Sequence, residues 1–348
     1  MASYWLVLRT QRPPLSFRFD RRVPVALLAL ALVTGMAVVA SVSYGEYRVP
    51  PLAVIKTILG LETGDPNHPF VVNVLRLPRA LVAVLVGIGL AIAGTLIQGI
   101  TRNPLAAPGI IGVNAGAALA AVTLIVALPN ASVSLLPFAA SGGALAVSVL
   151  VYLLAWQGGS SPVRFVLVGI GLNSLVSSLT GFMTAFGQID NVSRALVWLT
   201  GSVYGRSWDH VLALVPWLVV LGVLALVMAR ELNTLSLGDA LAAGLGSRVE
   251  WQRGVLLLTS VGLAGSAVAT AGGISFVGLM APHLARRLVG AAHEGLVPTA
   301  ALMGGMLVVV ADLLGRVLFP GTELPCGSIT SAIGAPFLIY LLVLRRPY

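Results

Sequence analysis

Few side chains in this sequence could carry chemistry, and their spacing excludes more than it offers. The four histidines, His68, His210, His283 and His293, are scattered and lack metal-ligand spacing. His283 follows Pro282 inside an apolar run, where a hydrogen-bonded structural role is favoured over metal binding. The only lysine, Lys56, has no glycine run before it, so it cannot serve a phosphate-cradling loop. Ala53-Val54-Ile55-Lys56 faintly matches a kinase strand motif, yet no catalytic loop follows. Gly169-Ile170-Gly171 has no strand before it and is not a nucleotide fingerprint. The single cysteine, Cys326, excludes an internal disulfide framework and a cysteine-rich metal centre. No catalytic residue and no metal site is expected, and any ATP chemistry belongs to another polypeptide.

The carboxylates tell a similar story. Of 12 acidic residues, only Asp312 falls inside an apolar run, and Arg316 follows it at the i,i+4 spacing of an ion pair. Carriers driven by protons or sodium usually place carboxylates within the membrane. Structural pairing is the simpler role for Asp312, which leaves ion-coupled transport without its usual machinery.

The elements that position these residues are membrane helices. With 57% hydrophobic and 9% charged residues in 348, and a mean hydropathy of +0.97, the chain departs far from soluble composition. Apolar runs of about twenty residues recur, the length that crosses a hydrocarbon core. The strand alternation of an outer-membrane barrel is absent. The expected fold is an all-α polytopic membrane protein with ten spans, near 23–44, 78–100, 109–128, 135–156, 165–186, 211–229, 254–271, 274–289, 297–319 and 329–344. Residues 1–22 form a basic lead, 23–346 the spanning domain and 347–348 a tail. The first span is too long for a signal-peptide core. Fourteen of the 21 basic residues then fall on one side, which makes it the cytoplasmic side with both termini there. The same rule explains the net charge of +9 without nucleic acid.

Two patterns stand out within this frame. Gly89-Leu90-Ala91 leads to Ala107-Pro108, and Gly262-Leu263-Ala264 leads to Ala281-Pro282, five spans later. This weak repeat is compatible with two inverted halves, or with the shared composition of Gly/Ala-rich membrane helices. The second pattern is 231–253, the polar stretch between spans six and seven. Leu237, Leu241 and Leu245 recur every four residues and predict one leucine face on a short helix. Ser236 before Asp239 and Ser247 before Glu250 have capping-box spacing, and Gly244 and Gly246 stop the helix. A short cytoplasmic helix with such a ridge needs a protein partner.

Four stretches together resemble the FecCD family of permeases of ATP-binding-cassette importers for ferric siderophores, haem and vitamin B12. They are Arg76-Leu77-Pro78-Arg79; 102–109 (RNPLAAPG) with Gly112-Val113-Asn114; 272–279 (GGISFVGL) with Ala281-Pro282-His283; and 311–316 (ADLLGR) with Glu323-Leu324-Pro325. The segment around Arg194–Trp208 looks closest to ferric-citrate and related siderophore permeases. The resemblance implies a bacterial inner-membrane importer moving an iron(III)–siderophore complex, with haem or vitamin B12 as alternatives. A secondary transporter without an ATPase is the competing class. Implied partners are a second permease subunit (identical or paralogous), two cytoplasmic ATP-binding subunits that bring ATP and Mg, and a periplasmic or lipid-anchored substrate-binding protein. Leu237, Gly238, Asp239, Leu241, Leu245 and Gly246 would couple to the ATPase. Arg76, Arg79 and Arg316 would dock acidic residues of the binding protein, arginine suiting bidentate carboxylate recognition. Snorkelling of Arg79 and pairing of Arg316 with Asp312 are the alternatives. Asn103, Pro104, Leu105, Ser160 and Ser161 would form the inner gate. Asn173, Ser177 and neighbouring hydroxyls would line the path, or merely join helices.

Overall fold

The computed structural model describes residues 5–11, 14–156, 159, 161–318 and 323–344. A β-hairpin, β1 (Trp5–Gln11) antiparallel to β2 (Pro14–Asp20), opens an otherwise helical chain. The long helices are α1 (Arg22–Ser43), α3 (Leu77–Thr101), α5 (Leu136–Ala155), α6 (Pro162–Ala185), α8 (Trp208–Val227), α11 (Val249–Ala271), α13 (His293–Val317) and α14 (Cys326–Leu344). Shorter ones are α2 (Pro51–Ile58), α4 (Val113–Val122), α7 (Ile189–Thr200), α9 (Ala229–Ser236), α10 (Asp239–Gly244) and α12 (Val277–Val289).

Among the described residues, 8 helices are long and apolar enough to cross a membrane. At the third and eighth expected spans stand shorter helices, 15 residues over Val113–Ala127 and 13 in α12. Both are shortened at their starts by irregular backbone. The chain between α3 and α4 passes through a 3-10 turn at Pro108–Ile111, and Gly272–Phe276 separates α11 from α12. Arg102 (φ 53) and Phe276 (φ 66), the two non-glycine residues with positive φ among those described, each mark one of these breaks.

The centre of the bundle is α3, with α11, α12 and α13 around it. Most of α3, α11 and α13 is buried, whereas α1, α6 and α8 are largely exposed. Glycine permits the close approach. A Cβ at Gly94 would collide with the Gly278 carbonyl, and one at Gly87 with the Gly304 carbonyl. The Ser260 hydroxyl on α11 donates to the Ala93 carbonyl of α3 at 3.0 Å. The two copies of the Gly-Leu-Ala motif therefore meet, because Gly89 packs against the backbone of Leu263. At 25 residues, α3 separates its two ends by about 37 Å. Each end carries a cluster of charged residues.

Candidate functional site

At the start of α3, Arg79 donates from Nε (3.1 Å) and Nη2 (2.8 Å) to Asp312 on α13, and from Nη1 to Glu323 (2.9 Å). The Asp312 side chain is 2% exposed, and its second oxygen lies 3.2 Å from Arg316, one helical turn on. The ring of Tyr204 covers the Arg79 guanidinium at 5.4 Å. Arg316 also donates to the carbonyls of Tyr44 (3.1 Å) and Ser41 (3.0 Å). Arg76 donates to those of Val42 (2.9 Å) and Tyr47 (2.7 Å). The oxygens of Ser41, Val42 and Tyr44 lie at the C-terminal end of α1, where positive charge is favoured. The three arginines expected at the docking face thus gather at one end of the bundle. Arg79 is buried, while Arg76 and Arg316 are part-exposed. Of the three, only Arg79 and Arg316 pair with carboxylates, and Arg76 donates to backbone carbonyls alone.

At the far end of α3, Asp239 accepts from Nη2 of Arg253 at 2.7 Å and lies 3.4 Å from Arg102. Arg253, the fifth residue of α11, is 1% exposed and also faces Glu250 at 3.6 Å. Arg102 caps α3 and immediately precedes Asn103-Pro104-Leu105. The Asn103 side chain accepts from the Leu105 amide at 2.9 Å, which fixes the turn, with Pro104 exposed and Leu105 half-exposed. α10 and the 102–105 turn are therefore tied by one carboxylate.

The local build of 231–253 departs from expectation. Neither capping box forms. The Ser236 hydroxyl turns back to the Asn233 carbonyl at 2.6 Å, and Gly238 (φ 107) takes the cap position of α10 instead. The Ser247 hydroxyl bonds the Gln252 side chain, and α11 begins at Val249. With only six residues in α10, Leu237 ends α9 and Leu245 ends α10, so only Leu241 lies within it. All three leucines nonetheless remain exposed, at 57%, 62% and 69%. Gly246 (φ 86) makes the turn that follows.

On α6, Asn173 donates to the carbonyls of Gly109 (2.9 Å) and Ile110 (3.3 Å), holding the 3-10 turn before α4. Ser177 is exposed, and the Ser174 and Ser178 hydroxyls return to their own helix. Ser161 precedes α6, and Ser160 lies outside the described residues. His283 stacks edge-on against Phe337, and His293 bonds Asn233 at 2.7 Å. No group of three metal-ligating side chains occurs among the described residues.

The FecCD transport family profile matches residues 30–344. The chain belongs to the FecCD transport family. It is 41% identical, over 93% of this chain and 96% of the relative, to the Fe(3+)-citrate import system permease protein YfmE of Bacillus subtilis. The achromobactin transport system permease protein CbrC of Dickeya dadantii is 43% identical over 94% of this chain and 95% of its own. A solved inward-facing conformation of a metal-chelate type ABC transporter superposes with a TM-score of 0.83 at 31% identity, covering 92% of this chain and 99% of that one. This FecCD chain is a multi-pass membrane permease. Sequence reasoning reached the three arginines and the leucine ridge. It missed Arg253 and Arg102 as the partners of Asp239: Arg253 closes the same polar stretch, whereas Arg102 lies on another loop and no spacing links it to Asp239.

Proposed function

We propose that this chain is the membrane subunit of a bacterial inner-membrane importer for an iron(III)–siderophore or hydroxycarboxylate chelate, powered by ATP hydrolysis in partner subunits. The observation that carries the reading is the exposed leucine ridge at 237, 241 and 245, joined through Asp239 to the 102–105 turn. Exposed leucines at a helix hairpin favour a partner groove, since burying each contributes about 1.5–3 kcal/mol. Two ATP-binding subunits carrying ATP and Mg would take this ridge, one on each of two permease subunits, identical or paralogous.

In this mechanism ATP-driven movement of the docked α9–α10 hairpin pulls on Asp239. Asp239 transmits it to Arg102 and so to Asn103-Pro104-Leu105, and to Arg253 at the root of α11. Leu105 serves as the apolar closure of the inner gate, to which Ser160 and Ser161 would contribute hydroxyls. The largely exposed α6, with Ser177 and its neighbours, faces the second subunit across the path. Asn173 holds the shoulder of that path rather than meeting cargo. Access then alternates by rocking of two bistable half-permeases. Both termini lie in the cytoplasm, and residues 23–346 form the permease domain.

A periplasmic or lipid-anchored binding protein would dock at the opposite end. Arg76 is the most available of the three arginines and donates to backbone carbonyls alone, so its charge would attract an acidic lobe. Arg76→Glu is expected to weaken binding-protein association, more at low salt than at high. Unchanged association at low ionic strength would remove Arg76 from the docking face.

The deciding experiment is uptake of a radiolabelled iron(III) chelate into proteoliposomes holding the permease, its binding protein and its ATP-binding subunits. Uptake should require ATP hydrolysis. Uptake driven by an ion gradient without ATP would overturn the proposal.

A further inference from the structure

A second set of arginines, beside the first, has no carboxylate to answer it. A cavity of about 300 Å³ lies between the end of the α4 segment, the start of α5, α7 and the 201–206 loop. Tyr204, which covers Arg79, also lines it, so the cavity sits at the same end of the bundle as the Arg79–Asp312 cluster. Its walls include Arg194, Arg206, Trp198 and Asn191, with Leu128 and Val133 on the apolar side, and no lining residue is Asp or Glu.

The donors here are unanswered. Neither Arg194 nor Arg206 takes part in an ion pair among the described residues. Arg206 has one side-chain contact, between Nη1 and His210 at 3.2 Å, and burial lowers its affinity for the proton. The Arg206 Nε and the Trp198 Nε1 are both buried without a hydrogen-bond partner. A part-buried guanidinium without a counter-charge and a buried indole N–H without an acceptor are each costly. One anionic acceptor in the cavity would relieve both.

We infer that this cavity is an oxyanion site, which takes the carboxylate or phosphate of a small ligand whose apolar portion rests on Leu128 and Val133. Guanidinium forks suit either anion bidentately, and an indole N–H adds a third donor. Two sources could supply it, a carboxylate-bearing small molecule or the headgroup phosphate of an anionic lipid. The site does not depend on the cargo assigned above.

The test uses the full-length permease in nanodiscs of zwitterionic phosphatidylcholine. Citrate is titrated by calorimetry in one arm. In the other, phosphatidylglycerol replaces part of the lipid and the thermal midpoint is followed. Wild type should respond in at least one arm, and Arg194→Gln with Arg206→Gln should weaken that response at least about tenfold. Arg194→Gln alone, at an exposed position, guards against a folding artefact and should still weaken it. Arg206→Lys should restore only part, because a point charge replaces the fork. A citrate response identifies the free carboxylate, and a phosphatidylglycerol response the headgroup. No response in either arm, or one that is equal in the glutamine variants, would overturn the inference.

Discussion

At each end of α3 one carboxylate bridges two guanidiniums, and the two bridges differ in burial. At the Arg79 end, one carboxylate, Asp312, sits 2% exposed between two guanidiniums whose side chains are 10% and 7% exposed. At the Arg102 end, Asp239 is 40% exposed and joins a fully buried arginine, Arg253, to a surface one, Arg102. Buried charges must be paired or they cost several kcal/mol, so the first cluster cannot open cheaply. The second is half in water, where a pair is worth about 0–1 kcal/mol and can break and reform. One end is built to hold α1, α3 and α13 together. At the other, the exposed Arg102–Asp239 pair can open at little cost.

That contrast can be broken most directly at Asp312. Asp312→Ala strands Arg79 and Arg316 and is expected to cost about 3–5 kcal/mol, read as a lowered thermal midpoint in detergent or nanodiscs. Removing the whole triad, Arg79→Met, Asp312→Leu and Arg316→Met together, should recover much of that loss, since apolar replacement of a complete buried ion network is often neutral. A variant of Asp312 that melted like wild type would erase the distinction between the two ends.

The leucine ridge gives the next largest effect, on association rather than folding. Leu241→Asp should weaken capture of the ATP-binding subunits by at least about tenfold, given the 1.5–3 kcal/mol that a buried leucine contributes. Membrane insertion should be unaffected, because Leu241 is exposed in this chain. Normal ATP-driven uptake in this variant would mean that α10 does not transmit movement.

The ease of reading these features from sequence follows the distance over which each is decided. The apolar runs and the i,i+4 spacing of Asp312 and Arg316 are local, and they are found as expected. The three leucines of the repeat are all exposed although only Leu241 lies inside a helix, because the stretch packs none of them against the rest of the bundle. The capping boxes fail for a local reason that spacing does not reveal. Gly238 at φ 107 starts α10 one residue before Asp239, which frees that carboxylate for Arg253. The pairing of Arg79 with Asp312, 233 positions apart, depends on how α13 packs against α3, and no short-range pattern encodes it. The shortened helices at the third and eighth expected spans share that origin. Hydropathy registers the apolar run but not the irregular backbone at Pro108–Ile111 or Gly272–Phe276.

The smallest expected effect is the one that most sharpens the comparison. Asp239→Asn keeps the shape of the side chain and removes its charge. Because Asp239 is 40% exposed, Asn keeps an oxygen for Arg253, and Arg253 retains Glu250 at 3.6 Å, folding stability should fall by no more than about 1 kcal/mol. Transport should respond differently. If Asp239 carries movement from the docked hairpin to the 102–105 turn, the ratio of chelate moved to ATP hydrolysed should fall about fivefold, the size of a weak coupling energy. Arg102→Gln should lower the same ratio by a similar factor, and the double variant should add little, since both act on one contact. A charge exchange, Arg102→Asp with Asp239→Arg, tests direction as well as contact. It restores the pair at the surface but faces the buried Arg253 with a second guanidinium. It should therefore fail to recover coupling and should lower stability where neither single surface change did. Full recovery by the exchange would mean that Arg253 is a bystander, and that the inner cluster is a simple surface pair rather than a lever rooted in α11.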